Sequence, residues 1–234
     1  MNETQTQSSR AARLVGALFL GGFLTYGVGS ILTSTATAAP DYLSGVSSNP
    51  LFPVGAVLML LNSAVVTGIG VLMFPALVRH SKAVAAGYLA TRIFEAVLLA
   101  VGVVSLLSLT GIAQEATAGT LDAGYYGTLA ALAVNGGFLS YQVAMAGLGL
   151  GSVFLCSLLL RKRLVPRFLA VWGLAGYAVF AVGAVLELLG FAGLGMVFTV
   201  PGGLFELFFG IWLLAGKSAL TTAAAVPAEK VVVP

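Results

Sequence analysis

Six apolar runs divide this chain, each close to the about 20 residues that a helix needs to cross the hydrocarbon core of a bilayer. They leave little room for charge. Of the 234 residues 59% are hydrophobic and only 8% charged, whereas an ordinary soluble domain is about a quarter charged. So few charges cannot solvate a protein surface, and the solvent is therefore lipid. In lipid each segment must satisfy its own backbone hydrogen bonds, which selects helices. The fold class expected is all-α: a polytopic integral membrane protein with six transmembrane helices and no second globular domain.

The first run, Leu14 to about Leu32, follows Arg10 and Arg13, and residues 1–9 read as a disordered cytoplasmic tail. A signal peptide competes for this stretch, with Ala36-Thr37-Ala38 in the place of a cleavage site. The run exceeds the roughly 7–15 residues of a signal core, which favours a retained helix. Thr33–Leu51 is a loop. The second span is Phe52 to Val78, ending at Arg79-His80-Ser81-Lys82, and the third is Gly87 to Leu109. In the segment 110–137, Tyr125-Tyr126 opens either a short interfacial helix or an extension of the fourth span, with Asn135-Gly136-Gly137 as a break. The fourth span runs from Phe138 to Leu160 and stops at Arg161-Lys162-Arg163. Pro166 occupies the first turn of the fifth, Arg167 to Leu189, and Gly190–Gly195 turns into the sixth, Met196 to Ala215. The transmembrane domain is thus 10–217, and 218–234 is a flexible cytoplasmic tail.

Alternation of six spans places ten of the eleven Lys and Arg residues on one side: Arg10, Arg13, Arg79, Lys82, Arg161, Lys162, Arg163, Arg167, Lys217 and Lys230. The opposite loops carry only Asp41, Glu115 and Asp122. Cations mark the cytoplasmic face, so both termini are cytoplasmic. The same pattern explains the net charge of +3 without nucleic acid. The single Cys156 excludes an internal disulfide framework and a cysteine metal cage.

The eleventh cation, Arg92, lies inside the third span, three residues before Glu95, so the two share a helix face and can pair. A charge at that depth costs several kcal/mol unless it is paired or faces a wet cavity. Glu206 in the sixth span and Asn62 in the second fall near mid-membrane by the 1.5 Å rise per residue. Arg92, Glu95, Glu206 and Asn62 are therefore the candidate ligand-binding residues. Glu187 falls near the outer surface, and Gln142 adds polarity to the fourth span. Three acids against one Arg leave an excess of negative charge for a proton or a cation to match. The structural alternative is that Arg92 clamps two helices through carboxylates, with Asn62 and Gln142 bridging neighbours.

Thr199-Val200-Pro201-Gly202-Gly203 precedes Glu206 by a turn, where proline removes a donor and the helix can kink or start late. Freed carbonyls beside a Glu would suit a cation. Gly147-Leu148-Gly149-Leu150-Gly151 offers small residues for close helix contact and is no dinucleotide loop, because no strand precedes it. His80, the only histidine, lies in a cytoplasmic turn, which removes bis-histidine haem and histidine metal sites. No Walker loop or nucleophile elbow is present. No catalytic residue, metal or cofactor is expected. Trp172 and Trp212 lie near cytoplasmic ends, where interface anchoring explains them.

Three stretches carry a resemblance: Tyr88-Leu89-Ala90-Thr91-Arg92-Ile93-Phe94-Glu95; Leu164 to Tyr177, with Pro166-Arg167 and Trp172-Gly173; and Pro201-Gly202-Gly203-Leu204-Phe205-Glu206 leading to Gly210-Ile211-Trp212. From Arg10 to Lys217 the chain resembles the bacterial six-helix membrane family called domain of unknown function 4386, departing at Gly216-Lys217 where Lys-Gly is expected. The resemblance implies the fold, marks Arg92, Glu95, Pro166, Arg167 and Glu206 as family-type positions, and assigns them no role. It places the protein in a bacterial cytoplasmic membrane. The functional expectation is a pocket that binds or transports a small molecule, lipid or ion, with a small hydrophobic or cationic ligand. The alternative is a non-catalytic accessory subunit, partnered by another membrane protein or a second copy through faces such as Gly147–Gly151.

Overall fold

The computed structural model describes residues 3–38, 42–119, 122–191 and 193–216. The C-terminal tail, with Lys217 and Lys230, lies outside them. Seven helices follow in order: α1 Glu3–Thr37, α2 Tyr42–Ser48, α3 Phe52–Val78, α4 Lys82–Ala118, α5 Ala123–Arg161, α6 Arg167–Leu188 and α7 Leu194–Leu214. All but α2 are long and apolar enough to cross a membrane. Large apolar side chains on their outer faces are left bare by the protein, among them Phe168 at 70%, Leu24 at 67% and Phe154 at 65% exposure. A bilayer covers such a surface, and water would not. The chain is a multi-pass helical membrane protein.

Boundaries depart from expectation where tertiary packing outweighs local signals. Helix α1 starts at Glu3, so it runs through the stretch read as a disordered tail; residues 3–9 hold neither proline nor glycine to stop it. Asn135-Gly136-Gly137 does not break α5. An added Cβ at Gly136 would meet Ser105 at 3.3 Å, and one at Gly137 would meet Leu106 at 3.3 Å. Both glycines therefore sit against α4, and this contact offsets the roughly 1 kcal/mol that each costs a helix interior. The Tyr125-Tyr126 pair belongs to the first turn of α5, whose N-cap Asp122 accepts from Gly124 N at 2.6 Å. Pro166 sits at the N-cap of α6, one place ahead of the first turn. Helix α7 starts before Pro201 and carries it inside.

The expected loop after α1 contains α2, and Asn49 ties it back by donating to Leu32 O at 3.1 Å and Thr35 Oγ1 at 2.9 Å. Leu109 and Ala130 of the α4–α5 hairpin form a small outer core with Ala36, Val46 and Phe52. At 1.5 Å per residue α4 and α5 are about 55 and 58 Å long, against about 32 Å for α6 and α7. The surplus length of α4 and α5 lies at the ends away from Lys82 and Arg161, around the α4–α5 turn.

The six spans form a closed ring. Each packs mainly against its sequence neighbours, α1 on α3, α3 on α4, α4 on α5, α5 on α6 and α6 on α7, and α7 returns to α1. Glycine lets the seam close: a Cβ at Gly16 of α1 would come within 2.5 Å of the Gly210 carbonyl of α7. The stretch Gly147–Gly151, read as a partner-facing surface, packs inside the chain instead. Gly147 lies against Phe94 and Gly151 against Thr91 of α4, while Gly149 lies against Tyr177 and Ala181 of α6. The main core fills the inner half of the ring, with Phe19, Tyr88, Leu155, Tyr177, Phe205 and Phe209 among its largest members.

Candidate functional site

Arg92 is 1% exposed and among the largest fully buried side chains of the protein. Its position on α4 fixes its first partners. Tyr88, one turn earlier, accepts from Nε at 2.8 Å, and Glu95, three residues later, accepts from Nη1 at 2.9 Å. Nη2 donates across the ring to Glu206 Oε1 of α7 at 2.9 Å. The same carboxylate oxygen accepts from the Tyr177 hydroxyl of α6 at 2.6 Å. Phe19 of α1 and Tyr88 each place a ring centroid 5.3 Å from the guanidinium carbon, a cation–π distance. One guanidinium thus links α1, α4 and α7 directly and α6 through Tyr177. Two carboxylates meet this single cation, so the cluster carries a net charge of −1 when both are ionised.

Above the network lies a cavity of about 180 Å³. Arg92, Glu95, Glu206 and Asn62 all line it, together with Tyr26, Tyr141 and side chains from all six spans. Asn62 Oδ1 accepts from Thr25 of α1 at 3.3 Å. Tyr26 and Tyr141 stack with ring centroids 5.6 Å apart. Among the described residues, five polar groups on this wall have no hydrogen-bond partner in the protein: Glu206 Oε2, Glu95 Oε1, Asn62 Nδ2 and the hydroxyls of Tyr26 and Tyr141. None is among the sealed side-chain atoms that lack a partner, which are Ser63 Oγ and Ser152 Oγ. The five therefore keep surface that a small probe can reach.

The mouth of the cavity lies between α1 and α7. Wall residues from α3 to α6 are buried, apart from half-buried Tyr141, whereas Gly22, Gly27, Thr199, Gly203 and Glu206 are half-buried and Phe23 is exposed. The two helices touch closely at Gly16 and Gly210 and part above that point. A Cβ at Gly203 would meet only Phe23, at 3.9 Å, and one at Gly27 would meet nothing within 4 Å. The opening therefore lies between α1 and α7, beside exposed apolar side chains such as Phe23 and Leu204.

The structure brings together the four residues singled out as candidates and leaves two other polar residues apart. Glu187 caps the start of α7, accepting from Gly195 N at 2.8 Å, and Gln142 is buried in α5 away from the cavity wall. Only two of the three expected acids thus belong to the cluster. The Pro201 carbonyl accepts a bond from Trp172 Nε1 of α6 at 3.1 Å. Trp172 is therefore an interhelical strut as well as an interface residue. Among the described residues no three of His, Cys, Asp and Glu gather where they could hold a metal. Four tyrosines of the site escaped sequence reasoning. Tyr88 carried a signal, one helical turn from Arg92; Tyr26, Tyr141 and Tyr177 carried none, because contacts between helices bring them in.

In the α3–α4 turn, outside the spans, burial and then the nearby Lys162 and Arg79 hold the His80 imidazole below its ordinary range. It lies apart from the cavity.

The chain matches no curated protein and no solved structure. The family model described as a domain of unknown function, DUF4386, matches residues 14–216, from the first span to the end of the last. With the match covering every span of the ring, the chain belongs to the family known as domain of unknown function 4386.

Proposed function

We propose that this protein binds a small molecule in the cavity beside Arg92, Glu95, Glu206 and Asn62, and that the gap between α1 and α7 is its way in from the bilayer. The observation that carries this reading is the set of five polar groups, on residues of the cavity wall, that have no protein partner. A structural ion pair buried at this depth gains by satisfying its remaining lone pairs within the protein. Here one oxygen of each carboxylate is left for something else, and a second acid joins a cluster that one acid would neutralise. The cavity also suits a small occupant, since an apolar cavity of about 150 Å³ takes benzene. Binding needs only the one mouth. Transport would need an opening on the opposite face as well.

Native mass spectrometry of the protein, extracted gently from its own membrane, tests this. A reproducible small-molecule adduct is expected in the wild type. Glu206→Gln removes the acid, Gly203→Leu fills the mouth, and each should abolish the adduct while leaving the folded yield intact. Loss of folded yield in step with loss of the adduct would make the cluster structural glue.

A further inference from the structure

We propose, on the reading that this cavity binds a small molecule, that its ligand is a small organic cation, an ammonium ion carrying an apolar group of about one ring. Charge balance is the first ground. Glu95 Oε2 and Glu206 Oε1 both bond the Arg92 guanidinium at 2.9 Å, so the ionised cluster is one positive charge short, and among the described residues no other Lys, Arg or His lines the cavity. Within the hydrocarbon no counter-ion from solvent is at hand, and an unmatched charge there is expensive. A monovalent cation closes the balance, and an anion worsens it.

The free groups are placed for such a guest. Glu95 is 4% and Asn62 5% exposed, yet each turns an unpartnered polar atom to the cavity, Glu95 Oε1 and Asn62 Nδ2. Glu206 Oε2 joins them from α7. The carboxylate oxygens accept from an ammonium group, and the amide N–H groups serve a hydroxyl or carbonyl on the same guest. Aromatic rings, among them Phe23, Tyr26, Tyr141 and Phe180, supply part of the wall, and aliphatic side chains such as Val66, Ile69 and Leu99 supply another part. Ring faces attract cations electrostatically, more strongly when the cation is desolvated. By helical rise the site lies about 15 Å from the start of α4 and, at Glu206, about 18 Å from the start of α7 at the opposite end of the bundle, away from lipid headgroups at either surface. The ligand is therefore a free amine and not a phospholipid head.

Three probes of one size and different charge test the assignment: benzylamine, an ammonium ion at neutral pH, neutral benzyl alcohol, and anionic benzoate. Binding to the full-length protein in detergent micelles is followed by calorimetry. Benzylamine is expected to bind about tenfold or more tightly than benzyl alcohol, the order of a cation–π and ion-pair gain, and benzoate most weakly. In Glu206→Gln the net charge of the cluster falls to zero, and the preference for benzylamine over benzyl alcohol should fall to near unity. Glu95→Gln makes the same change from α4 and serves where the first variant does not fold. Gly203→Leu keeps every charge and should weaken all binding. Equal affinity for benzylamine and benzyl alcohol, both lost in Gly203→Leu, overturns the cation while the cavity stands, and would mean that a proton completes the charge. Probe binding that Gly203→Leu leaves unchanged, or no binding of any probe, overturns both.

Discussion

In its inner half the α4–α5 hairpin buries Arg92 and Glu95; in its outer half it carries Glu115 and Asp122, both exposed. The two halves belong to the same pair of helices and differ in what surrounds them. At membrane depth a charge persists only with partners, and one helix cannot provide enough of them. Arg92 takes Tyr88 and Glu95 from its own helix and then reaches Glu206 on α7, 114 residues away. At the exposed α4–α5 turn a charge has no buried partner to seek, so Asp122 accepts from two residues along, Gly124 N. Low dielectric turns a charged residue into a long-range contact, whereas water leaves it local. The inner half should therefore fail globally when altered and the outer half locally.

The largest effect expected is at Arg92. Arg92→Leu leaves two carboxylates without their cation, and breaking a buried pair in this way costs about 3–5 kcal/mol. Thermal melting in detergent should show a large loss of stability, and adding Glu95→Gln and Glu206→Gln to the same chain should recover part of it. No recovery would mean that Arg92 acts through packing rather than charge.

A smaller difference separates Tyr177 from Asp122. Tyr177→Phe removes a hydrogen bond to a carboxylate, worth about 1.5–3 kcal/mol, and should loosen α6 and α7 together. Asp122→Ala removes an N-cap worth about 1 kcal/mol and should speed amide exchange only in the first turn of α5. Exchange rising throughout the ring in Asp122→Ala would erase the contrast between the halves.

The smallest effect is at His80. Its folded-state pKa is lowered by burial and by Lys162 and Arg79, so the unfolded chain takes up the proton first as pH falls. Stability is then full above the ordinary histidine value of about 6.5 and declines slightly as pH drops through and below it. His80→Gln should flatten that slope, and an unchanged slope would assign it to other groups.

Much of this architecture was legible because lipid makes polar residues conspicuous. Six spans and the Arg92–Glu95 pair follow from apolar length and a three-residue spacing. Glu206 and Asn62 stood out for the same reason, each a polar residue near mid-membrane. What was hidden depended on ring closure. Nothing links Tyr26 to Tyr141 until the ring has closed, and Tyr177 meets Glu206 only in the final rotation of α6 against α7. Local signals also misled where a neighbour compensated: Gly136-Gly137 reads as a break, but α4 packs against it, and Pro201 reads as a helix start, but Trp172 holds its carbonyl within α7.

The most direct test of the central claim, that the polar cavity is a binding site framed by α1 and α7, is a crystal structure of the protein purified with its native lipids. The expected result is non-protein density within hydrogen-bond distance of Glu206 Oε2 and beneath the stacked Tyr26 and Tyr141 rings. A collapsed cavity, with α1 and α7 closed along their length and both carboxylates fully engaged by the protein, would contradict it.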